Sequence, residues 1–334
     1  MSRTKVSLGI AGAGKWGANH VATAASLGAL GAICDADASL LGKVWDKYPE
    51  ATATIRFEDM LKMPVNAVVI ATPAQTHAQL ALAAIAAGKH VFVEKPLALS
   101  VFDAQMVVAE ARRKGVRVFV GHIVLYQPGV RAVLDAVRTG MVGDVHHVRA
   151  RRSSFGRLRF VEDVWWSFAP HDVATTLAIV GEEPVASAIA RHSYATPGIA
   201  DFAYGDFRFS GGRTAHVEVT WLDPLKSASL DVFGSKGVLA LREHAGEVRL
   251  AYVPCGVDRK DVARAELWRG EETTHRFDRD EPLRTELAAF IDHIVHGTPV
   301  PTGGEAGLAV VRALSMTASS EPQILHETYE RTSV

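Results

Sequence analysis

The sequence predicts an α/β protein in two parts. Residues 1–122 read as a doubly wound parallel sheet, and residues 123–334 as an α+β domain with an open, mostly antiparallel sheet. Three observations lead there. Short apolar runs alternate with helical stretches of about 10–15 residues up to His122, the pattern of βαβ units. After His122, strand-like runs follow one another with few helices between them, the pattern of an antiparallel sheet. The length of 334 residues exceeds the roughly 250–300 at which one core stops growing.

Taken in order, residues 5–11 (KVSLGIA) form a first strand buried on both faces. A helix follows from Lys15 to about Leu27, then a strand at Ala29–Cys34 ending on Asp35. A helix at Ala38–Tyr48 leads to a weak strand near Ile55. Residues 66–71 (NAVVIA) are the clearest strand. The Ala-rich stretch Gln75–Ala87 is a helix stopped by Gly88. A strand at His90–Val93, a helix at Ser100–Lys114 with Ser100 as N-cap, and a strand at Val116–Gly121 complete the first part. In the second part a helix at Gly129–Thr139 precedes strands at Val145–Ser153, Val185–His192, Phe202–Phe209, Thr214–Trp221, Ser229–Phe233 and Val238–Arg242. A helix at Pro170–Val180 interrupts them, and helices at Leu283–Val295 and Glu305–Ser319 end the chain.

Composition excludes several function classes. Hydrophobic residues are 48% and charged residues 22%, and 36 Lys+Arg against 37 Asp+Glu give a net charge of −1. That balance offers no electrostatic attraction to nucleic acid or a membrane surface, and no apolar run is long enough to cross a bilayer. The two cysteines, Cys34 and Cys255, have no CxxC or Cys/His context, so neither a disulfide framework nor a metal site is expected, and a cytoplasmic location fits. Cys34 reads as a small buried hydrophobe at a strand end.

Residues 12–17 (GAGKWG) place G-x-G-x-x-G between a strand and a helix. Gly12 permits the tight turn, Gly14 lets the backbone approach a pyrophosphate, and Gly17 allows close helix–strand packing. The helix N-terminus, with Lys15 and Trp16 in its first turn, then faces the phosphates. Asp35 closes the next strand, where a carboxylate accepts hydrogen bonds from a ribose 2′-OH and repels a 2′-phosphate, so NAD is expected over NADP.

Residues 70–96 (IATPAQTHAQLALAAIAAGKHVFVEKP), the glycine motif before them and DVWWSFAPHD at 163–172 together resemble the glucose-fructose oxidoreductase/inositol dehydrogenase/MocA-type family, over nearly the whole chain. The resemblance implies a Rossmann domain followed by an open-faced sheet domain that serves oligomerisation, as a homodimer or homotetramer. It implies NAD(P)-dependent chemistry on a sugar or polyol hydroxyl, a cis Lys95–Pro96 peptide, and Lys95 reaching the substrate hydroxyl. It sets Thr72, Pro73, His77, Glu94, Lys95 and Trp166 against the cofactor, and His171 against the substrate, with a helix-start histidine without a ligand as the alternative for His77. Relatives often carry Asp four residues before that histidine. Ser167 stands there in this chain, and Asp172, next to His171, faces another direction on a helix. Lys95 and His171 divide the roles of proton acceptor and oxygen stabiliser, with either assignment open.

Four stretches (KWGANHVATAASLGALGAICDAD, GHIVLYQPGVRAVLD, VWWSFAPHDVATTLAIVGEEP and TWLDPLKSASLDVFGSKG) resemble the subgroup that oxidises the C3 hydroxyl of UDP-N-acetylglucosamine. Its 3-keto product passes to a pyridoxal-phosphate aminotransferase on the way to diamino-sugar lipid A, and related members act on the uronic acid. A UDP-sugar needs cations for its diphosphate, and Arg149, Arg151, Arg152, Arg157 and Arg159 crowd one strand and the loop after it. Arg149, Arg151, Arg157 and Arg159 are the expected substrate contacts, with Tyr126, Trp165, Trp166 and Phe168 as candidate apolar walls and core packing equally natural for two of those four. A solvated basic edge is the alternative for the arginines, and a non-catalytic NAD-dependent regulator is the alternative for the whole protein. His122, ending the sixth strand, is placed to approach the cleft.

Overall fold

The computed structural model describes residues 6–156, 158, 162–261, 264–278 and 280–316. Its first part runs β1 (Leu8–Ala11), α1 (Lys15–Ser26), β2 (Leu30–Cys34), α2 (Ala38–Trp45), β3 (Thr52–Thr54), α3 (Phe57–Lys62), β4 (Ala67–Ile70), α4 (His77–Ala86), β5 (His90–Glu94), α5 (Val101–Lys114) and β6 (Val118–Gly121). These six strands form one parallel sheet in the order β3-β2-β1-β4-β5-β6. β1, β4 and β6 are buried at every position, as continuous apolar runs with helices on both faces must be. The helix starts follow capping chemistry: Asp37 accepts from the amides of Ser39 and Leu40, and Ser100 from that of Asp103. Only α3 was unforeseen, being too short to show a helical period.

The second part opens with a 3-10 turn at Ile123–Tyr126 and continues with α6 (Pro128–Arg138), β7 (Val145–Phe155), α7 (Val164–Val180), β8 (Ala186–His192), β9 (Phe202–Arg208) and β10 (Thr214–Thr220). β11 (Leu222–Gly234), β12 (Gly237–His244), β13 (Glu247–Asp261), β14 (Arg264–Arg269), β15 (Thr273–Phe277), α8 (Pro282–His296) and α9 (Gly304–Ser315) follow. The strands form one sheet in the order β14-β13-β12-β11-β7-β10-β9-β8, with β15 paired to β13. All pairs are antiparallel except β7 with β10.

One face of this sheet lies under α7. Val148 and Ala150 of β7, Ala203 and Phe207 of β9, and Val217 and Val219 of β10 are buried there, and alternation sends their neighbours to the opposite face. β13, β14 and β15 were not foreseen, because polar and charged residues interrupt their apolar alternation. α7 was expected from Pro170 but begins at Val164: Asp163 caps it by accepting from the Trp166 amide, and Pro170 lies inside the helix.

The two parts share their cores at the chain's end. α9 packs on α5 and β6, where Leu308 and Val311 join Val107, Val118 and Val120. The Val120 amide donates to Thr302 O (2.8 Å). α8 packs on α1 and the 123–126 turn. Residues 282–315 thus belong by packing to the first sheet as much as to the second.

Candidate active site

The glycine turn after β1 has the form a dinucleotide needs. Gly12 has φ +101°, and a Cβ on it would stand 2.5 Å from Ala71 O. On Gly17 a Cβ would stand 1.8 Å from Gly12 O, whereas on Gly14 it would enter open space. Gly12 and Gly17 therefore bring backbone against backbone, and Gly14 leaves room outside the turn for a phosphate. Gly14 is the N-cap of α1 and supplies no side-chain cap, so the first amides of the helix remain available to an anion. Asp35 accepts from the Ala13 amide (2.6 Å) and the Asp37 amide (2.8 Å), one bond per carboxylate oxygen. Each oxygen keeps a second lone pair for a ribose hydroxyl. Lys15 and Trp16 are exposed at the mouth of this turn. Cys34, beside it, is buried, and burial with the nearby Asp35 carboxylate pushes its thiol up to about 12.

Two more turns close the carboxyl edge of the sheet. After β4, Thr72 Oγ1 and Thr76 Oγ1 hydrogen-bond each other (2.7 Å), and Thr76 also donates to Pro73 O, with Pro73 left exposed. After β5 the Lys95–Pro96 peptide is cis. His77, expected against the cofactor, is buried and has Nδ1 2.7 Å from Pro96 O and Nε2 3.0 Å from Thr72 O. A backbone carbonyl thus faces each ring nitrogen, and His77 sits buried between the β4 turn and the Lys95–Pro96 turn. Glu94 also faces inward: Oε1 meets His20 Nε2 (2.7 Å), and Oε2 accepts from the Lys95 amide (3.2 Å). Burial works to raise its proton affinity, but the His20 hydrogen bond and Lys95 outweigh that and hold it below the usual carboxylate range. Glu94 thus ties the end of β5 to His20 on α1 and to the Lys95 amide.

Lys95 reaches across to the second part, where its Nζ donates to Ser167 O on α7 (2.7 Å). Pro170 lacks the N–H that would bond Trp166 O, so the helix's own hydrogen bonding is broken within this turn. His171 lies one turn beyond Ser167 on the same helix face. Its Nδ1 is buried without a hydrogen-bond partner, and so is the Ser167 hydroxyl. Burial lowers the imidazole's proton affinity well below its ordinary value, and Lys95, Arg152 and His122 lower it further. His171 is consequently neutral near pH 7, with a lone pair to offer. Trp166 stands half-buried in the seam between the two cores.

Two further residues act on His171: Arg152, which sequence reasoning did not set beside it, and His122, which was expected to approach the cleft. Arg152 turns to the α7 side of the sheet and grips Asp172 with two parallel hydrogen bonds, Nε–Oδ2 2.8 Å and Nη2–Oδ1 3.0 Å. The parity along β7 that sets Arg152 opposite Arg151 was the available signal. His122 is 1% exposed and both its ring nitrogens lack partners. Burial and then Lys95 lower it to about 4 against the opposing pull of Glu94. Past the Arg152–Asp172 pair a cavity of about 170 Å³ opens, walled by Val130, Leu230, Leu241 and Phe277, with Glu243 and Asp278 also on its lining.

Three other expected substrate contacts, Arg149, Arg151 and Tyr126, are not brought to this place. Arg149 and Arg151 project from the face of the sheet away from α7. Arg149 is bonded to Asp231 (2.7 Å), and Arg151 to Glu218 (3.0 Å) and Asp223 (3.4 Å). Alternation along β7 put them there, on the face away from the helix that carries His171, where acidic neighbours pair with both. Arg157 and Arg159 lie outside the described residues. Tyr126 is core: it is 6% exposed, stacks on Phe119 and shares a hydrogen bond with Thr302 Oγ1 (2.9 Å). Trp165 is fully buried and donates to Leu314 O. Of the four aromatics considered as walls, only Trp166 and Phe168 retain surface. Among the described residues no cluster of His, Cys, Asp or Glu has metal-binding geometry, and no helix is long and apolar enough to cross a membrane.

The profile of the oxidoreductase family with an NAD-binding Rossmann fold matches residues 6–122, and that of the GFO/IDH/MocA C-terminal domain matches residues 130–240. The 1,5-anhydro-D-fructose reductase of Ensifer adhaerens is 29% identical over 277 residues, covering 77% of this chain and 80% of that protein. The myo-inositol 2-dehydrogenase of Thermotoga maritima is 26% identical over 318 residues, covering 90% and 91%. The UDP-N-acetylglucosamine 3-dehydrogenase of Acidithiobacillus ferrooxidans is 28% identical over 183 residues, covering 53% and 55%. Its solved structure superposes with a TM-score of 0.78 over 92% of this chain and 94% of that one, at 22% identity, a likeness of fold. With the two profiles spanning well over half the chain, the protein belongs to the GFO/IDH/MocA oxidoreductase family and is an NAD-dependent oxidoreductase with a Rossmann cofactor domain.

Proposed function

We propose that the protein oxidises a secondary hydroxyl of a sugar, with His171 as proton acceptor and Lys95 as the cation on the reacting oxygen. One observation carries this reading: the Lys95 ammonium is bonded to α7 one turn before a neutral, half-buried His171, at the carboxyl edge of the parallel sheet. Ligands bind an open α/β sheet at that edge. Bound NAD supplies the oxidised nicotinamide that takes the hydride from the carbinol carbon. His171 accepts the hydroxyl proton, for which its neutral state is required. Lys95 donates a hydrogen bond to the same oxygen as negative charge develops there. Asp35 selects NAD over NADP.

Within that chemistry we take the C3 hydroxyl of a UDP-linked N-acetyl hexosamine as the substrate group, UDP-N-acetylglucosamine first. The similarity to the relative from Acidithiobacillus ferrooxidans supports it, as does the resemblance of the four stretches noted in the sequence. The 3-keto product would be consumed by a pyridoxal-phosphate aminotransferase. A second reading, an uncharged sugar or polyol, is favoured by the placement of Arg149 and Arg151 and by the acidic lining of the cavity beyond Arg152.

The test is an assay of the purified protein with UDP-N-acetylglucosamine, its uronic acid and myo-inositol, each with NAD and NADP. Reduced-cofactor absorbance is followed in the presence of a ketone trap, and 1,5-anhydro-D-fructose is added with reduced cofactor as the reverse arm. Turnover of the UDP-sugar with NAD supports the first reading. Turnover of only the free polyol or anhydro sugar replaces it with the second.

A further inference from the structure

Among the described residues, four buried polar atoms without a hydrogen-bond partner belong to three residues grouped about Lys95: both ring nitrogens of His122, the Ser167 hydroxyl and His171 Nδ1. Ser167 and His171 sit on α7, beside the carbonyl that Lys95 grips. His122 has no place in the chemistry described so far. It follows the last residue of β6, and the register of β6 with β5 pairs Gly121 with Glu94. His122 and Lys95 are therefore equivalent next positions on two neighbouring parallel strands.

A neutral imidazole carries one donor and one acceptor, and burying both unbonded is unfavourable unless another state of the site satisfies them. The charged groups that act on His122 are Lys95 and Glu94, and His122 in turn acts on His171. Burial and Lys95 keep the ring neutral, so its lone pair is open to a cation. An ammonium has three donors, and in this structure one of them goes to Ser167 O.

We propose that His122 is a positioning residue for Lys95, accepting a hydrogen bond from its ammonium in the substrate-bound enzyme and so fixing the direction of the donor aimed at the reacting oxygen. The proposal rests on Lys95 acting on that oxygen, as argued above.

Two measurements test it. In full-length protein with ¹⁵N-labelled histidine and bound NAD, the His122 ring resonances are assigned by their loss in His122→Gln. They are then compared with those of Lys95→Met, with and without substrate. A shift of the His122 acceptor nitrogen on removal of the ammonium is expected, and unchanged resonances overturn the proposal whatever the substrate is. In the kinetic arm, His122→Phe should lower kcat roughly 10- to 100-fold, the size of one hydrogen bond to a charged group, with the KM values changed less than about twofold. His122→Gln, which keeps an acceptor, should recover most of that loss. Equal losses in both variants, or a loss confined to KM, overturn the positioning role. If Lys95→Met itself turns over normally, the reading of Lys95 fails, and the resonance comparison still decides whether the two side chains meet.

Discussion

The two sheets supply the site by different rules. In the parallel sheet, position along a strand decides everything: Gly12 and Asp35 follow β1 and β2, Thr72 follows β4, Lys95 follows β5 and His122 follows β6, all at one edge. Both faces are buried under helices, so the carboxyl edge is the exposed place where backbone and side chains converge on a ligand. In the nine-stranded sheet, face decides. Arg151 and Arg152 are neighbours in sequence, yet one pairs with Glu218 on the open face and the other with Asp172 under α7. A list of arginines in the second sheet therefore says little about a ligand until each is assigned a side.

The sharpest way to break this comparison is at the seam. Lys95→Met and His171→Ala should each lower kcat by roughly 10²–10⁴-fold, the contribution of a positioned acid or base. NAD affinity, measured by titration of protein fluorescence, should change only a few-fold. Near-normal turnover in either variant would remove that residue from the chemistry.

Opposite faces of β7 offer the next contrast. Arg152→Leu leaves Asp172, which is 5% exposed, without its cation, and should cost about 3 kcal/mol in denaturant unfolding. Arg151→Ala removes a half-exposed ion pair and should cost under about 1 kcal/mol, with KM for the sugar substrate unchanged. Equal costs would mean that the two faces are not as different as their burial indicates. A raised KM in Arg151→Ala would return the open face to the substrate.

The glycine turn permits a finer comparison within one loop. Gly17→Ala drives a methyl into Gly12 O and should cost roughly 1–3 kcal/mol, as overpacking does. Gly14→Ala meets nothing in the protein, so it should melt like the parent and lose affinity for NAD alone. Smallest is Asp35→Ala, for which the NAD/NADP preference ratio of kcat/KM should fall several-fold through weaker NAD use. An unchanged ratio would place the selectivity elsewhere.

The sequence by itself determined the parallel sheet nearly strand by strand, the glycine turn, Asp35, the cap at Ser100, and the family to which the chain belongs. Each is a local property: an apolar run, a capping oxygen, a φ value only glycine holds easily, a motif of adjacent residues. It also named Lys95 and His171 from motifs more than seventy positions apart, though not that Lys95 would be bonded to the helix carrying His171. Tertiary structure alone decided the rest. It turned Tyr126 and Trp165 into core and set a backbone carbonyl against each ring nitrogen of His77. It sent Arg149 and Arg151 to the face away from α7 and gave Asp172 to Arg152. It folded α8 and α9 back onto the first sheet. The physical reason is common to all of these. Alternation separates Arg152 from Arg149 and Arg151, but which face of the sheet is covered, and which neighbour satisfies a buried polar atom, depend on segments far away in the chain.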